Sequence, residues 1–225
     1  ILFGAFAGNV ALHISESYFV AVLAAALAGL LLGLVFTTCA IRLRANIFIT
    51  GLGINLLAAG VIPFASSALF QVKGVLRFEN VDPLPRVLPG LLGGQTLLFY
   101  LALLAVGVAH LAIYRTPFGL RLRSAGAAPE LLEERGLAAN RYRRYAIWIS
   151  GVAAGLAGGA LALRLGVYLP NISAGRGWIA LVTIFLGYRS PIGVLVAALV
   201  ISLTESVANS AQAVVELPNT LLLAL

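Results

Sequence analysis

Glu205 is the one carboxylate set well inside an apolar run of this 225-residue chain. A charge at membrane depth is costly enough to need a partner, water or a passing solute. Asn55 in GLGINLLAAG and Thr183 in ALVTIFLG are further polar side chains on apolar segments. Groups of this kind hydrogen-bond a polar solute or tie helices together. Glu205 has a third reading, a place at the membrane interface. The run Ser173-Ala174-Gly175-Arg176-Gly177 precedes an apolar stretch, Trp178 to Leu186, of only about nine residues. At ~1.5 Å per residue this covers under half of a bilayer. Gly175, Arg176 and Gly177 therefore either make a tight turn or open a broken, re-entrant helix whose backbone N–H groups face a solute. The triplet is not a phosphate loop, because it lacks the Gly-Lys-Ser/Thr ending. Thr183 and Glu205, with Asn55, Gly175, Arg176 and Gly177, are the candidate lining of a solute path.

A second group has the chemistry of a docking surface. Pro129-Glu130-Leu131-Leu132-Glu133-Glu134-Arg135-Gly136 reads as one short helix. Proline suits the first helical position, Glu130 meets the positive end of the helix dipole, and Gly136 suits the left-handed residue that ends a helix. So short a helix has no stability of its own in water, and something must hold it. Leu131 and Leu132 form an apolar ridge with acids on its flanks. Helices that rest on lipid headgroups favour Lys and Arg on the polar face, so three acids favour a protein partner. Pro129, Glu130, Leu131, Glu133, Glu134 and Gly136 are the expected contact set. No catalytic group is assigned: no Ser–His or paired-Asp constellation falls at membrane depth. Cys39 alone excludes an internal disulfide and a cysteine metal cluster, so no metal is expected.

These residues need elements suited to lipid. Hydrophobic residues make up 61% of the chain and charged ones 10%, against ~25% charged in soluble domains. Full spans are predicted over 18–41, 47–64, 95–114 and 145–163, with a shorter one over 192–207 and the tail of a span at 1–12. Pro63 marks the end of the second full span, and 209–218 reads as a polar turn before a last helix. The segment 115–144 holds seven of the fifteen basic residues; with Arg42 and Arg44 that makes nine, on loops two spans apart. Both loops then lie in the cytoplasm, and the loops 66–94 and 164–176 lie outside. The net charge of +7 is thus a matter of orientation; no basic face or stacking set points to nucleic acid. Gly29 and Gly33, and Gly151, Gly155 and Gly159, fall at four-residue spacing, which puts each set on one helix face for close packing. The chain opens at Ile1 and closes at Leu225 in apolar sequence. A single transmembrane domain over 1–225, cut at both ends, is expected.

The loop RTPFGLRLRSAGAAPELLEERGLAANRYRRYAIWISG resembles the cytoplasmic loop of ABC-importer permeases of the branched-chain amino acid, simple-sugar and nucleoside type, at Arg115, Thr116, Gly119, Arg123, Gly126, Pro129 and Gly136. It departs at Ala128, where Asn is usual, losing a favoured helix cap. IRLRANIFITGLGINLLAAG and NISAGRGWIALVTIFLGYRSPIG resemble two further segments of the family, and the likeness runs in order along the chain. Its flavour is nearest the nucleoside-type permeases.

The resemblance implies an all-α, polytopic transmembrane bundle with a broken helix and a cytoplasmic coupling helix within 115–144. It implies a permease subunit of the bacterial inner membrane, without enzyme activity, that carries a small polar solute: a nucleoside, or a simple sugar or riboflavin. An uncharged solute with a ring-shaped body suits spans that offer hydroxyls, amides and aromatics. The implied partners are an ABC ATPase, which binds the ATP and Mg, a second permease (the same chain or another), and an extracytoplasmic binding protein or lipoprotein. The rival reading is a secondary transporter driven by an ion gradient. Glu205 alone supports it weakly, and it leaves the long cytoplasmic loop unexplained.

Overall fold

A computed structural model describes residues 1–70, 76–77, 97–165, 167–168, 173 and 175–215. Two compact units are present: Ile1–Ala102 with Ala112–Ala174, and Leu103–Leu111 with Gly175–Leu225. Among the described residues, five helices are long and apolar enough to cross a membrane.

In the first unit, α1 (Leu2–Ser15), α2 (Tyr18–Thr37) and α7 (Ala139–Leu165) form the packed centre. Lipid tails are as apolar as leucine, so these helices associate through close backbone contact. Gly29 of α2 faces Gly151 and Gly155 of α7, and a Cβ on Gly155 would lie 2.9 Å from the Gly29 Cα. The two sets of four-spaced glycines therefore face each other. Helix α2 runs on into one π-helical turn, Thr38–Arg42, and the Thr37 and Thr38 hydroxyls donate to the Gly33 and Leu34 carbonyls at 2.7 and 2.9 Å. These bonds let hydroxyls lie in an apolar span without an unmet donor.

Helix α3 (Ile47–Phe70) starts at Asn46, whose side-chain oxygen accepts from the N–H of Phe48 at 2.9 Å and of Ile49 at 3.3 Å. It does not stop near Pro63. Proline removes one helical hydrogen bond, but in lipid a continued helix satisfies all the other backbone groups. Ile62, fully buried beside Pro63, packs with Ala58 against Leu2, Phe3 and Phe6 of α1. Strand β1 (Leu76–Arg77) pairs antiparallel with β2 (Val167–Tyr168). The pairing brings residues of the 66–94 loop beside residues of the 164–176 loop, the two loops expected outside.

Helix α4 (Leu97–Arg115) leads to α5 (Pro117–Ala127), α6 (Pro129–Glu134) and α7. Helix α7 begins six residues before the predicted Tyr145. Hydropathy marks where a helix meets lipid, and its first turns here belong to the polar side. The second unit holds α8 (Arg176–Leu186) and α9 (Pro191–Val215). Helix α9 replaces the expected polar turn over 209–215, and 216–225, with the last predicted helix, lies outside the described residues. A four-residue turn reverses the chain between α8 and α9, so the pair is an antiparallel hairpin. Gly187 sits where the helices cross: a Cβ there would come 2.6 Å from the Val194 Cα. Tyr188 and Arg189 take left-handed φ angles of 51° and 55° to complete the turn. The Ser190 hydroxyl accepts from the Gly193 N–H at 3.1 Å, which caps α9.

Candidate functional site

The segment 115–144 folds into one small packed module. Thr116 caps α5: its hydroxyl accepts from the Gly119 N–H at 3.2 Å and donates to the Ala112 carbonyl at 2.5 Å. Pro117 follows at the first helical position. A Cβ on Gly119 would collide with the Ala112 and Ile113 carbonyls, so glycine permits the sharp reversal out of α4. The prediction of a single short helix in this segment omitted α5. The Thr116-Pro117 pair is a start signal that hydropathy alone does not register.

Helix α5 is fastened to α7 at three points. The Arg143 Nε donates to the Ala125 carbonyl at 3.1 Å. Arg121 donates to the Tyr142 hydroxyl at 3.4 Å. The Phe118 ring lies 6.1 Å from that of Tyr142. Arg123 covers the Tyr114 ring at 4.8 Å. Of the seven basic residues that read as loop charge, Arg121, Arg123 and Arg143 thus make structural contacts.

Helix α6 rests on this base. Ala128 stands at its N-cap with no side-chain cap bond, as the loss of Asn leads one to expect. Its C-terminal end is closed by the Gly136 N–H to the Glu133 carbonyl at 2.9 Å and the Leu137 N–H to the Leu132 carbonyl at 3.1 Å. Gly136 has φ 73°, so this is the left-handed closure of a Schellman motif. Leu132 is 5% exposed, buried with Ala125, Ala139 and Tyr142, while Leu131 is 61% exposed. The expected two-leucine ridge is therefore corrected. Neighbouring helical residues point about 100° apart, and only Leu131 faces outward. Glu130, Glu133, Glu134 and Gly136 are exposed beside it and Pro129 is half-buried.

The candidate path residues divide between the units. Asn55 lies exposed on α3 of the first unit. Arg176, Thr183 and Glu205 come together in the second, on a cavity of about 440 Å³ between α8 and α9. Its walls are apolar, with Ile179, Ile184 and Ile201 among them, and Ser202 joins Glu205 at the polar end. The Thr183 hydroxyl donates to the Ile179 carbonyl at 2.7 Å. Gly175 caps α8 at φ 80° and its carbonyl accepts from the Trp178 N–H at 2.8 Å. Arg176 and Gly177 fall in the first turn of α8, two residues before its expected start at Trp178.

An open groove of about 470 Å³ follows α9 and is lined by Ser202, Glu205, Ser206, Asn209 and Ser210. The positions repeat at i, i+3, i+4, i+7 and i+8, one face of a helix. Sequence reasoning passed over Ser206 and missed Asn209 and Ser210 because it ended the helix at Val207; the same spacing, carried on, would have found them.

The model of the family described as "Branched-chain amino acid transport system / permease component" matches residues 1–225, the entire chain. The chain belongs to this permease family. Among curated relatives, the guanosine ABC transporter permease protein NupQ of Bacillus subtilis is 32% identical over 82% of this chain and 61% of its own length. The nucleoside ABC transporter permease protein NupC of Lactococcus lactis is 29% identical over 86% of this chain and 64% of its own. TsgC13 of Haloferax volcanii, named provisionally as a glucose ABC transporter permease, is 28% identical over 92% and 65%. The chain thus spans less than two thirds of the length of these relatives. No solved structure matches it. As an ABC permease of this family with five apolar helices of spanning length, it is a multi-pass inner-membrane protein.

Proposed function

We propose that this permease forms part of the solute pathway of an ATP-driven importer, with a nucleoside as its solute. The observation that carries the ATP-driven part is the module at 115–144: a six-residue helix with Glu130, Leu131, Glu133 and Glu134 turned outward, on a base fixed to a membrane-spanning helix. Such a helix gains stability by docking in a groove on a soluble partner. A separate ABC ATPase fits that role and supplies the ATP and Mg sites. Its closure moves α6, and the bonds from α5 to α7 carry the motion into the bundle. The permease contributes binding and orientation of the solute and no bond-breaking step. A second permease completes the pathway, and an extracytoplasmic binding protein delivers the solute. Pro129 and Gly136 bound the docking helix. Asn55, Gly175, Arg176, Gly177, Thr183 and Glu205 are the proposed path residues.

The nucleoside assignment draws on the names of NupQ and NupC and on the mixed polar and apolar lining of the α8–α9 cavity. The test is ATP-dependent uptake by the full-length permease reconstituted with its ATPase, second permease and binding protein. Uptake of a labelled ribonucleoside that needs ATP and survives collapse of ion gradients supports the reading. Uptake that follows an ion gradient without ATP overturns it.

A further inference from the structure

The cavity between α8 and α9 and the polar groove along α9 share two residues, Ser202 and Glu205. Their other linings differ in kind. The cavity has Ile179, Ile184 and Ile201 in its walls, with Arg176 and Thr183, while every residue lining the groove has a hydroxyl, amide or carboxylate side chain. The hairpin sets the order. Arg176 begins α8 and lines the same cavity as Glu205, so Glu205 stands at the open end of the hairpin, away from the turn at Gly187–Ser190. Ser206, Asn209 and Ser210 continue past it on the same face of α9. Counting spans from the two basic loops puts the loop before Arg176 on the extracytoplasmic side. A solute arriving from outside meets the polar face first, the carboxylate next and the apolar cavity last.

We infer that Glu205 is the specificity-determining residue of a two-part site, its carboxylate accepting hydrogen bonds from the vicinal diol of a ribonucleoside whose base enters the α8–α9 cavity. The inference rests on the nucleoside reading and goes beyond it, because it assigns each half of the solute to a surface. A carboxylate has two oxygens and only accepts, so two adjacent hydroxyls are well matched to it. A flat, weakly polar base is suited to apolar walls within a volume of 440 Å³, which lies in the range of small-molecule sites. A free sugar uses the groove but not the cavity. Loss of one hydroxyl removes a hydrogen bond to a charged acceptor, which is stronger than one between neutral groups.

The test uses the full-length permease with its partners in proteoliposomes, and adenosine, 2′-deoxyadenosine and 3′-deoxyadenosine as competitors for uptake of labelled adenosine. The wild type is expected to prefer adenosine over either deoxy compound by about tenfold or more. Glu205→Gln, which keeps the shape and makes one arm a donor, is expected to bring that preference to within about threefold. A Glu205→Gln protein that keeps the wild-type ratio overturns the diol assignment while nucleoside import stands. Wild-type vesicles that take up ribose and no nucleoside overturn the underlying reading instead. Ser206→Cys and Asn209→Cys, each with Cys39→Ser, give an independent readout. A membrane-impermeant maleimide should label both, and adenosine should slow labelling severalfold. Labelling that adenosine leaves unchanged, or a face blocked by a neighbouring helix or by lipid, also overturns the inference.

Discussion

Leu131 and Leu132 are adjacent and chemically identical, yet the structure gives them opposite roles, and truncating each to alanine separates the two. Leu132, 5% exposed, packs against Ala125, Ala139 and Tyr142, with Leu122 and Leu137 half-buried around them. A buried Leu→Ala change costs ~2–5 kcal/mol, according to how far the site collapses. The half-buried neighbours can close in here, so about 2–3 kcal/mol is expected for Leu132→Ala. A six-residue helix has no stability of its own, and the whole loss falls on the docking of α6 against α5 and α7. At ~1.4 kcal/mol per factor of ten, the undocked population rises by about 30- to 150-fold. The amides that report it are Gly136 and Leu137, bonded to the Glu133 and Leu132 carbonyls at 2.9 and 3.1 Å. Their hydrogen exchange in the full-length protein in nanodiscs should quicken by that factor. Leu131→Ala, with its side chain 61% exposed, should leave both amides within about twofold of wild type and still weaken ATPase binding. Equal exchange in the two variants, or faster exchange in Leu131→Ala, would refute the assignment of inner and outer leucines.

Three further outcomes follow from contacts on the cytoplasmic side and in the bundle. Gly155→Ala puts a methyl group against the Ala25 carbonyl and 2.9 Å from the Gly29 Cα; forcing α2 from α7 should cost about 1–3 kcal/mol and lower the Tm in detergent. Thr116→Ala removes the α5 cap and should cost about 1 kcal/mol, read as faster amide exchange at Gly119. Arg143→Gln removes the charged donor to the Ala125 carbonyl and should loosen α5 by about 1.5–3 kcal/mol, read as increased proteolysis within 117–127 while the spans stay protected.

Much of this architecture was written in local chemistry. Four-spaced glycines marked the close-packing faces of α2 and α7, though not that the two faces meet, Pro129 and Gly136 marked the two ends of α6, and the short run from Trp178 announced a helix too brief to span. The misses share one cause. Hydropathy follows contact with lipid, and three helices run beyond it: α3 past Pro63, α7 from Ala139, and α9 past Val207. In each case the backbone continues because a helix satisfies its own polar groups, whatever the side chains meet. Helix α5 was hidden by its charges, although Thr116 and Pro117 spell a helix start. The opposed roles of Leu131 and Leu132 were not legible, since they depend on where Ala125, Ala139 and Tyr142 meet in space. Thr183 and Glu205 were both picked out, but only the hairpin turn at Gly187 puts them on one cavity and leaves Asn55 on the other unit.

The central claim is that α6 docks on an ATPase, and charge reversal at its outward face tests it most directly. The tagged full-length permease, extracted in mild detergent, should retain an ABC ATPase identified by mass spectrometry. Glu133→Lys with Glu134→Lys should abolish that recovery while expression and the exchange of the Leu137 amide stay at wild-type levels, because both side chains are exposed and outside the Leu132 cluster. An ATPase retained in full by the double variant, or a wild-type chain that purifies without one while a known transporter complex survives the same extraction, would contradict the account.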